Sequence, residues 1–164
     1  TCHLLEQGRT LPGFIGDIGY AQSNRERYEG FCQALADAGK KVDSSLCLTT
    51  PLGIDTYREE IDTFLSSLSR MPDAFVCASD YVACILMQLL EKRGLRVPED
   101  VAVSGFDNNT EDLLAEHLTT VQVFNEELGA RLALQILYRI KYPNTPHEIT
   151  YLGTNVLYRD STGD

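Results

Sequence analysis

The sequence predicts an α/β domain built on a parallel, doubly wound sheet. Three observations carry that reading. Short apolar runs alternate with amphipathic helical patterns along the first two thirds of the chain. This βαβα order closes as a parallel sheet with right-handed crossovers and helices on both faces. Two of the runs, Ala74-Phe75-Val76-Cys77-Ala78 and Val101-Ala102-Val103-Ser104-Gly105, are apolar at successive rather than alternate positions, as strands covered on both faces require. Three polar clusters (17–27, Ser79-Asp80 and Asp107-Asn108-Asn109) each follow a predicted strand, which converges them on one edge of the sheet. In open α/β sheets ligands bind outside the carboxyl ends of the strands.

The elements follow in order. Leu11 to Gly16 reads as a first strand. Tyr28, Phe31, Cys32 and Leu35 recur at i, i+3, i+4 and i+7 and mark one face of a helix that Gly39 stops. Leu46 to Thr50 is a second strand, and Ile54, Tyr57, Ile61, Phe64, Leu65 and Leu68 trace a second helix. After the strand at 74–78, Val82, Ile85, Leu86, Leu89 and Leu90 mark a third helix ended by Gly94. The last third is less regular. Asn109 to Glu116 is expected as a short helix and Thr119 to Phe124 as a strand. Asn125 is expected to cap a long helix with the apolar stripe Leu128, Leu132, Ile136, Leu137 and Ile140, ended by Lys141-Tyr142-Pro143. Ile149 to Leu152 and Asn155 to Tyr158 are expected to close the chain as strands.

Bulk properties narrow the function. A chain of 164 residues, 43% apolar and 23% charged, suits one compact domain. No apolar run approaches the ~20 residues that cross a bilayer, so no membrane association is expected, and no secretory signal is visible at the N-terminus. Thr1 is not an initiator Met, so the chain is expected to begin within a longer protein. The net charge of −10 repels phosphate backbones, and only Lys40-Lys41 are adjacent basic residues. Five cysteines, odd in number and without CxxC spacing, read as reduced thiols of a cytoplasmic protein. His3, His117 and His147 lie too far apart for a metal site. The Asn108-Asn109-Thr110 sequon carries no meaning in such a compartment.

Catalytic signatures are missing. There is no GxSxG, HExxH or GxxxxGK[ST], and Gly13, Gly16 and Gly19 do not form GxGxxG. Neither an enzyme nor a cofactor is expected. The polar clusters read instead as ligand contacts, each with a plainer role beside it. Ser23 opens Ser-x-x-Glu with Glu26 and is either a helix cap or a ligand hydroxyl contact. Arg27, one turn later, is either a solvated surface residue or a forked donor to ligand hydroxyls. Asp80 is expected to cap the following helix, leaving Ser79 free to face a ligand. Asp107 either bonds its own turn or accepts from vicinal hydroxyls.

In combination these segments resemble the LacI/GalR (lactose and galactose repressor) family over nearly the whole chain. His3-Leu4-Leu5-Glu6-Gln7-Gly8-Arg9 is similar to its H-L-x-x-x-G-H/R. Gly13-Phe14-Ile15-Gly16, then Arg27-Tyr28-Glu29-Gly30-Phe31 and Ala34-Leu35, resemble F-I-G … R-x-x-G-F-x-x-A-L. Pro72-Asp73-Ala74-Phe75 with Ala78-Ser79-Asp80 resembles P-D-A-I-F-x-x-N-D. The run from Gly94 to Asp107 is similar to the family's most specific stretch. Leu118-Thr119-Thr120-Val121, Glu127-Leu128-Gly129 and Leu157-Tyr158-Arg159-Asp160-Ser161-Thr162 complete the order.

The resemblance implies a periplasmic-binding-protein-like core (type I) of two lobes hinged around a sugar or similar effector. It also implies homodimers that reach operator DNA through an N-terminal helix-turn-helix headpiece. This chain matches mostly the second lobe, with residues 125–142 as a crossover helix belonging to the first; the headpiece is absent from it. By motif position Ser23, Arg27, Ser79 and Asp107 fall on effector contacts, although Ser79 stands where the family usually has Asn. A periplasmic sugar-binding protein of a transport system would share the fold and is the alternative reading.

Overall fold

The computed structural model describes residues 1–53, 55–108 and 113–163. Among them the chain runs α1 (Cys2–Glu6), β1 (Pro12–Ile15), α2 (Gln22–Asp37), β2 (Cys47–Leu48), α3 (Tyr57–Ser67), β3 (Ala74–Cys77), α4 (Asp80–Lys92), β4 (Ala102–Ser104), β5 (Thr120–Gln122), α5 (Asn125–Lys141) and β6 (Asn155–Leu157). Single 3-10 turns lie at Ser44–Leu46, Leu113–His117 and Asp160–Thr162. Residues 109–112 of the expected Asn109–Glu116 helix, most of the sequon, and Ile54 lie outside the described residues.

Strands β2, β1, β3 and β4 form a parallel sheet in that order. Phe14 pairs with Cys47 on one side and Val76 on the other, and Val76 pairs with Ser104. Strands β5 and β6 form an antiparallel pair. β5 extends the sheet beyond β4, where Gly105 N–H donates to the Thr119 carbonyl at 2.8 Å and Asp107 N–H to that of Val121 at 3.0 Å. Chain order reverses between β1 and β3, so the switch point lies outside Ile15 and Cys77.

Successive strand residues face opposite layers, and both layers are occupied. Phe14 and Ala78 pack with Phe31 and Leu35 of α2, and Ala74 and Ala102 with Leu4 of α1. On the other face Ile15, Phe75, Cys77 and Val103 pack with Ile61 and Leu65 of α3 and Leu86 and Leu90 of α4. This double burial is the physical reason for the uninterrupted apolar runs. Phe14 and Phe75, both 0% exposed, each contribute about 1.5–3 kcal/mol of transfer free energy. Gly39 and Gly94 end α2 and α4 at φ +69° and +73°, the left-handed conformation in which glycine carries no Cβ penalty.

Local chemistry departs from expectation at several points. α2 begins at Gln22 with Ala21 as its extended N-cap and no side-chain cap bond, so Ser23 lies inside the first turn. Glu26 accepts from Gln22 rather than closing a box with Ser23. At α4 the expected roles exchange. Ser79 is the N-cap and accepts from Val82 N–H at 3.3 Å, while Asp80 is helical and 2% exposed. α5 includes Asn125, with Phe124 preceding it and no side-chain cap. Residues 149–152 form no strand, because a strand needs a paired neighbour and none pairs with them among the described residues.

Among the described residues none of the 17 in α5 is buried. Leu128, Leu132, Ile136, Leu137 and Ile140 are 48–73% exposed, and Ile149 and Tyr151 about 80%. An apolar face of this extent is unusual on an isolated soluble domain.

Candidate ligand site at the switch point

The sequence of α2 sets Arg27 on the edge between its buried face (Phe31, Leu35) and solvent, over the ends of β3 and β4. Its Nη1 donates to the Ala78 carbonyl at 2.6 Å and to Asn24 Oδ1 at 3.4 Å. Its Cζ lies 3.7 Å from the centroid of the Phe106 ring, a cation–π contact. Its Nη2 stands 3.5 Å from Asp107 Oδ1. Asn24, one turn earlier, also donates through Nδ2 to the Asp17 carbonyl at 2.9 Å.

Asp107 follows β4 after Gly105 and Phe106. It and Asn108 both adopt positive φ, +116° and +54°, which swings the carboxylate out of the strand path. Burial pushes its carboxyl above the ordinary range and nearby Asp80 adds to the rise, while the Arg27 guanidinium opposes it. Arg27 is lowered by burial, with Asp107 and then Asp80 opposing. The Asp107 side chain nonetheless keeps 44% exposure against 20% for Arg27, so the carboxylate retains open acceptor positions.

Asp80 supports this pair from below. Thr120 Oγ1 donates to its Oδ1 at 2.6 Å, and its own N–H donates to the Phe106 carbonyl at 2.8 Å. Asp17, at the end of β1, staples the loop before α2 by accepting from Gly19 N–H at 2.7 Å, Tyr20 N–H at 3.1 Å and Leu52 N–H at 3.4 Å. Beside it Tyr57 meets Tyr81 edge-on at 5.7 Å. The Tyr57 hydroxyl is raised by burial first and then by the Asp17 charge.

The structure therefore brings Arg27 and Asp107 together. Ser79 adjoins them in the chain through Ala78, but its hydroxyl already serves the α4 cap. Ser23 is exposed on the first turn of α2 with no hydrogen bond to Arg27 or Asp107. Sequence reasoning did not find Phe106 as the platform under Arg27, nor Asp80 and Thr120 as the buried support. Phe106 falls just beyond the strand expected at 101–105, with no role assigned to it, and Asp80 is expected only as a cap. A cavity of about 360 Å³ on the α2 side of the sheet reaches Arg27 and Phe106 but not Asp107. Among the described residues no group of three metal-ligating side chains occurs, and no helix is long and apolar enough to cross a membrane.

The parallel sheet with helices on both faces is that of a periplasmic binding protein-like domain. The model of that domain family matches residues 1–162, and the chain belongs to it, as an effector-binding domain of the LacI/GalR regulator type. It is 35% identical over 130 residues to the HTH-type transcriptional regulator DegA of Bacillus subtilis (strain 168), covering 78% of this chain and 38% of DegA. A solved structure of a transcriptional regulator of LacI family from Sanguibacter keddieii DSM 10542 superposes with a TM-score of 0.85 at 27% identity, over 99% of this chain and 62% of that one. The transcriptional regulator CelR in complex with cellobiose superposes at 0.83 with 29% identity, over 98% and 49%. The chain spans about half the length, or less, of the curated relatives it matches. These relatives are regulators rather than transport proteins, which favours the first of the two readings drawn from the sequence.

Proposed function

We propose that this chain is the effector-binding lobe of a cytoplasmic LacI-type transcriptional regulator whose effector is a sugar or a related polyhydroxylated metabolite. The carrying observation is the Arg27–Asp107 pair at the switch point, with the guanidinium laid on Phe106. A forked donor, an open carboxylate and an aromatic face supply what vicinal hydroxyls need for recognition. Ser79 and Ser23 flank the pair as secondary contacts. The lobe itself performs no chemistry. Operator DNA is contacted by a headpiece outside this chain, and the regulator works as a homodimer. Residues 125–142 belong to the other lobe, a reading supported by the lack of any fully buried residue along α5. Effector that binds the closed arrangement of lobes better than the open one shifts the population between them, by no more than that difference in affinity.

The test is a thermal-shift and calorimetric screen of the intact regulator against neutral sugars, sugar phosphates and nucleobases. A ligand of the native state raises the melting temperature by mass action. The expected result is a dose-dependent rise with a sugar that is lost in both Arg27→Ala and Asp107→Ala. A sugar that binds equally well to both variants overturns the site.

A further inference from the structure

The carboxylate of Asp107 stands where it does because two successive non-glycine residues, Asp107 and Asn108, hold positive φ, a conformation that persists only where the surroundings enforce it. The enforcing contacts come from far along the chain. Asn108 Oδ1 accepts from Arg159 Nη2 at 2.8 Å, and Arg159 Nη1 donates to the Leu118 carbonyl at 3.0 Å. Asn108 N–H donates to Thr120 Oγ1 at 3.3 Å, the same hydroxyl that donates to Asp80. Arg159 is itself fixed. Its N–H donates to Thr119 Oγ1 at 2.8 Å, Ser161 Oγ donates to the Val103 carbonyl at 2.6 Å, and Thr119 N–H donates to Ser161 Oγ at 2.8 Å. Thr119, Ser161 and Thr162 are all buried. A short tail from the end of the chain is thus bolted to β4 and β5, and it extends one guanidinium to the turn that carries Asp107.

We infer that Arg159 is a positioning residue for the ligand site: through the Asn108 side chain it holds the left-handed turn that aims the Asp107 carboxylate at Arg27. The inference rests on the effector-site reading for its functional meaning but not for its geometry. Arg159 is not among the residues that line the cavity reaching Arg27 and Phe106, and its proposed action runs through Asn108. The Asn108 amide oxygen and the rigid fork of the guanidinium are both needed, because one arm is spent on Leu118 and the other on Asn108. An ammonium at this position cannot serve both with the same spacing.

The test follows the Asp107 carboxyl directly, by carbon-detected NMR titration of this chain without ligand. Among the described residues the charged groups facing that carboxyl are Arg27 on α2 and Asp80 on α4. In the wild type it titrates above the ordinary carboxylate range. In Asn108→Ala and Arg159→Lys, which keep the tail in place, the turn relaxes into solvent and the midpoint falls toward the ordinary value. Arg159→Ala does the same where it folds. A midpoint unchanged in both Asn108→Ala and Arg159→Lys, with native amide spectra, overturns the inference. The sugar screen on the intact regulator separates the two claims. If the midpoint moves but Asp107→Ala binds the sugar normally, the effector site falls and the positioning role stands. If Asp107→Ala loses binding while Asn108→Ala leaves both midpoint and affinity at wild-type values, the positioning role falls and the site stands.

Discussion

Gly105→Ala is the substitution whose cost can be worked most directly from the structure. Gly105 lies at the crossing of β4 with the first turn of α4. A Cβ there would run into the Asp80 carboxylate oxygen, stand 2.9 Å from Leu118 Cδ2 and 3.1 Å from Asp80 Cα. The last of these is backbone and has little room to move, because Asp80 N–H is tied to the Phe106 carbonyl. Leu118 is 0% exposed and Asp80 2%, so neither can swing into solvent. Forcing a methyl into a packed site costs about 1–3 kcal/mol. Displacing the Asp80 carboxylate also breaks its bond from Thr120, and a hydrogen bond to a charged group is worth about 1.5–3 kcal/mol. The expected loss is about 3 kcal/mol or more. With a urea dependence of about 2 kcal/mol per molar, the unfolding midpoint falls by about 1.5 M with unchanged slope. A midpoint that corresponds to a loss under about 0.5 kcal/mol would refute the close approach of β4 and α4 on which the site's geometry depends.

Three further outcomes follow. Gly30→Ala, on α2 where an added Cβ meets nothing within 4 Å, raises stability by about 0.5–1 kcal/mol through helix propensity, read in the same urea titration. Ile136→Glu, at 51% exposure on α5, changes the stability of this chain by less than about 0.5 kcal/mol, and it lowers any concentration-dependent light scattering by this chain; a large loss of stability would mean that α5 packs on the sheet in solution. The Asp100 carboxyl, held down to about 2 by the Arg96 side chain and then by the Arg96 N–H, contributes a stabilising interaction that is present above the ordinary carboxylate value and disappears as pH falls from there to about 2. Carboxyl NMR checks this, and Arg96→Met returns the midpoint part of the way to the ordinary range.

The fold was legible because burial on both faces leaves a strong mark. Phe75 and Val103 must be apolar for α3 and α4, and Val76 and Ala102 for α1 and α2, so the strands announce themselves without alternation. Helix stops at Gly39 and Gly94 were legible for a similar reason, since positive φ selects glycine. Caps were not. The short-range pattern does not say which residue adopts the extended backbone of the cap, which is Ala21 at α2 and Ser79 at α4. That depends on where the loop is pinned, here by Asp17 accepting from Gly19 and Tyr20. Residues 149–152 read as a strand on composition, but strand formation is decided by a neighbour that composition cannot supply. At the site, Arg27 and Asp107 were visible by position. Phe106, Asp80, Thr120 and Arg159 were not, because their roles arise from contacts across 40 or more residues, as in Thr120 with Asp80 and Arg159 with Asn108.

The geometry of the pair bears on which ligands it can accept. A charge-assisted N–H···O bond closes to about 2.7–2.9 Å, yet Arg27 Nη2 and Asp107 Oδ1 stand 3.5 Å apart, with the guanidinium held back by the Ala78 carbonyl and the Phe106 ring. An anionic ligand drawn to Arg27 would meet the Asp107 carboxylate beside it, and a cationic one drawn to Asp107 would meet the guanidinium. A hydroxyl suffers neither conflict, since it accepts from one partner and donates to the other at once. Two adjacent hydroxyls on a ring can satisfy the fork and the carboxylate together while the ring lies near Phe106. Partial burial of the pair strengthens this discrimination, because each charge left unmatched by a wrong ligand is more costly there than in water. The outcome expected of the effector screen on the proposed function is that neutral sugars bind most tightly and that a phosphate or carboxylate on the hydroxyls nearest Asp107 weakens binding by tenfold or more, about 1.4 kcal/mol. Tighter binding of the phosphorylated sugar through those same positions would show that Asp107 is protonated or turned away in the complex.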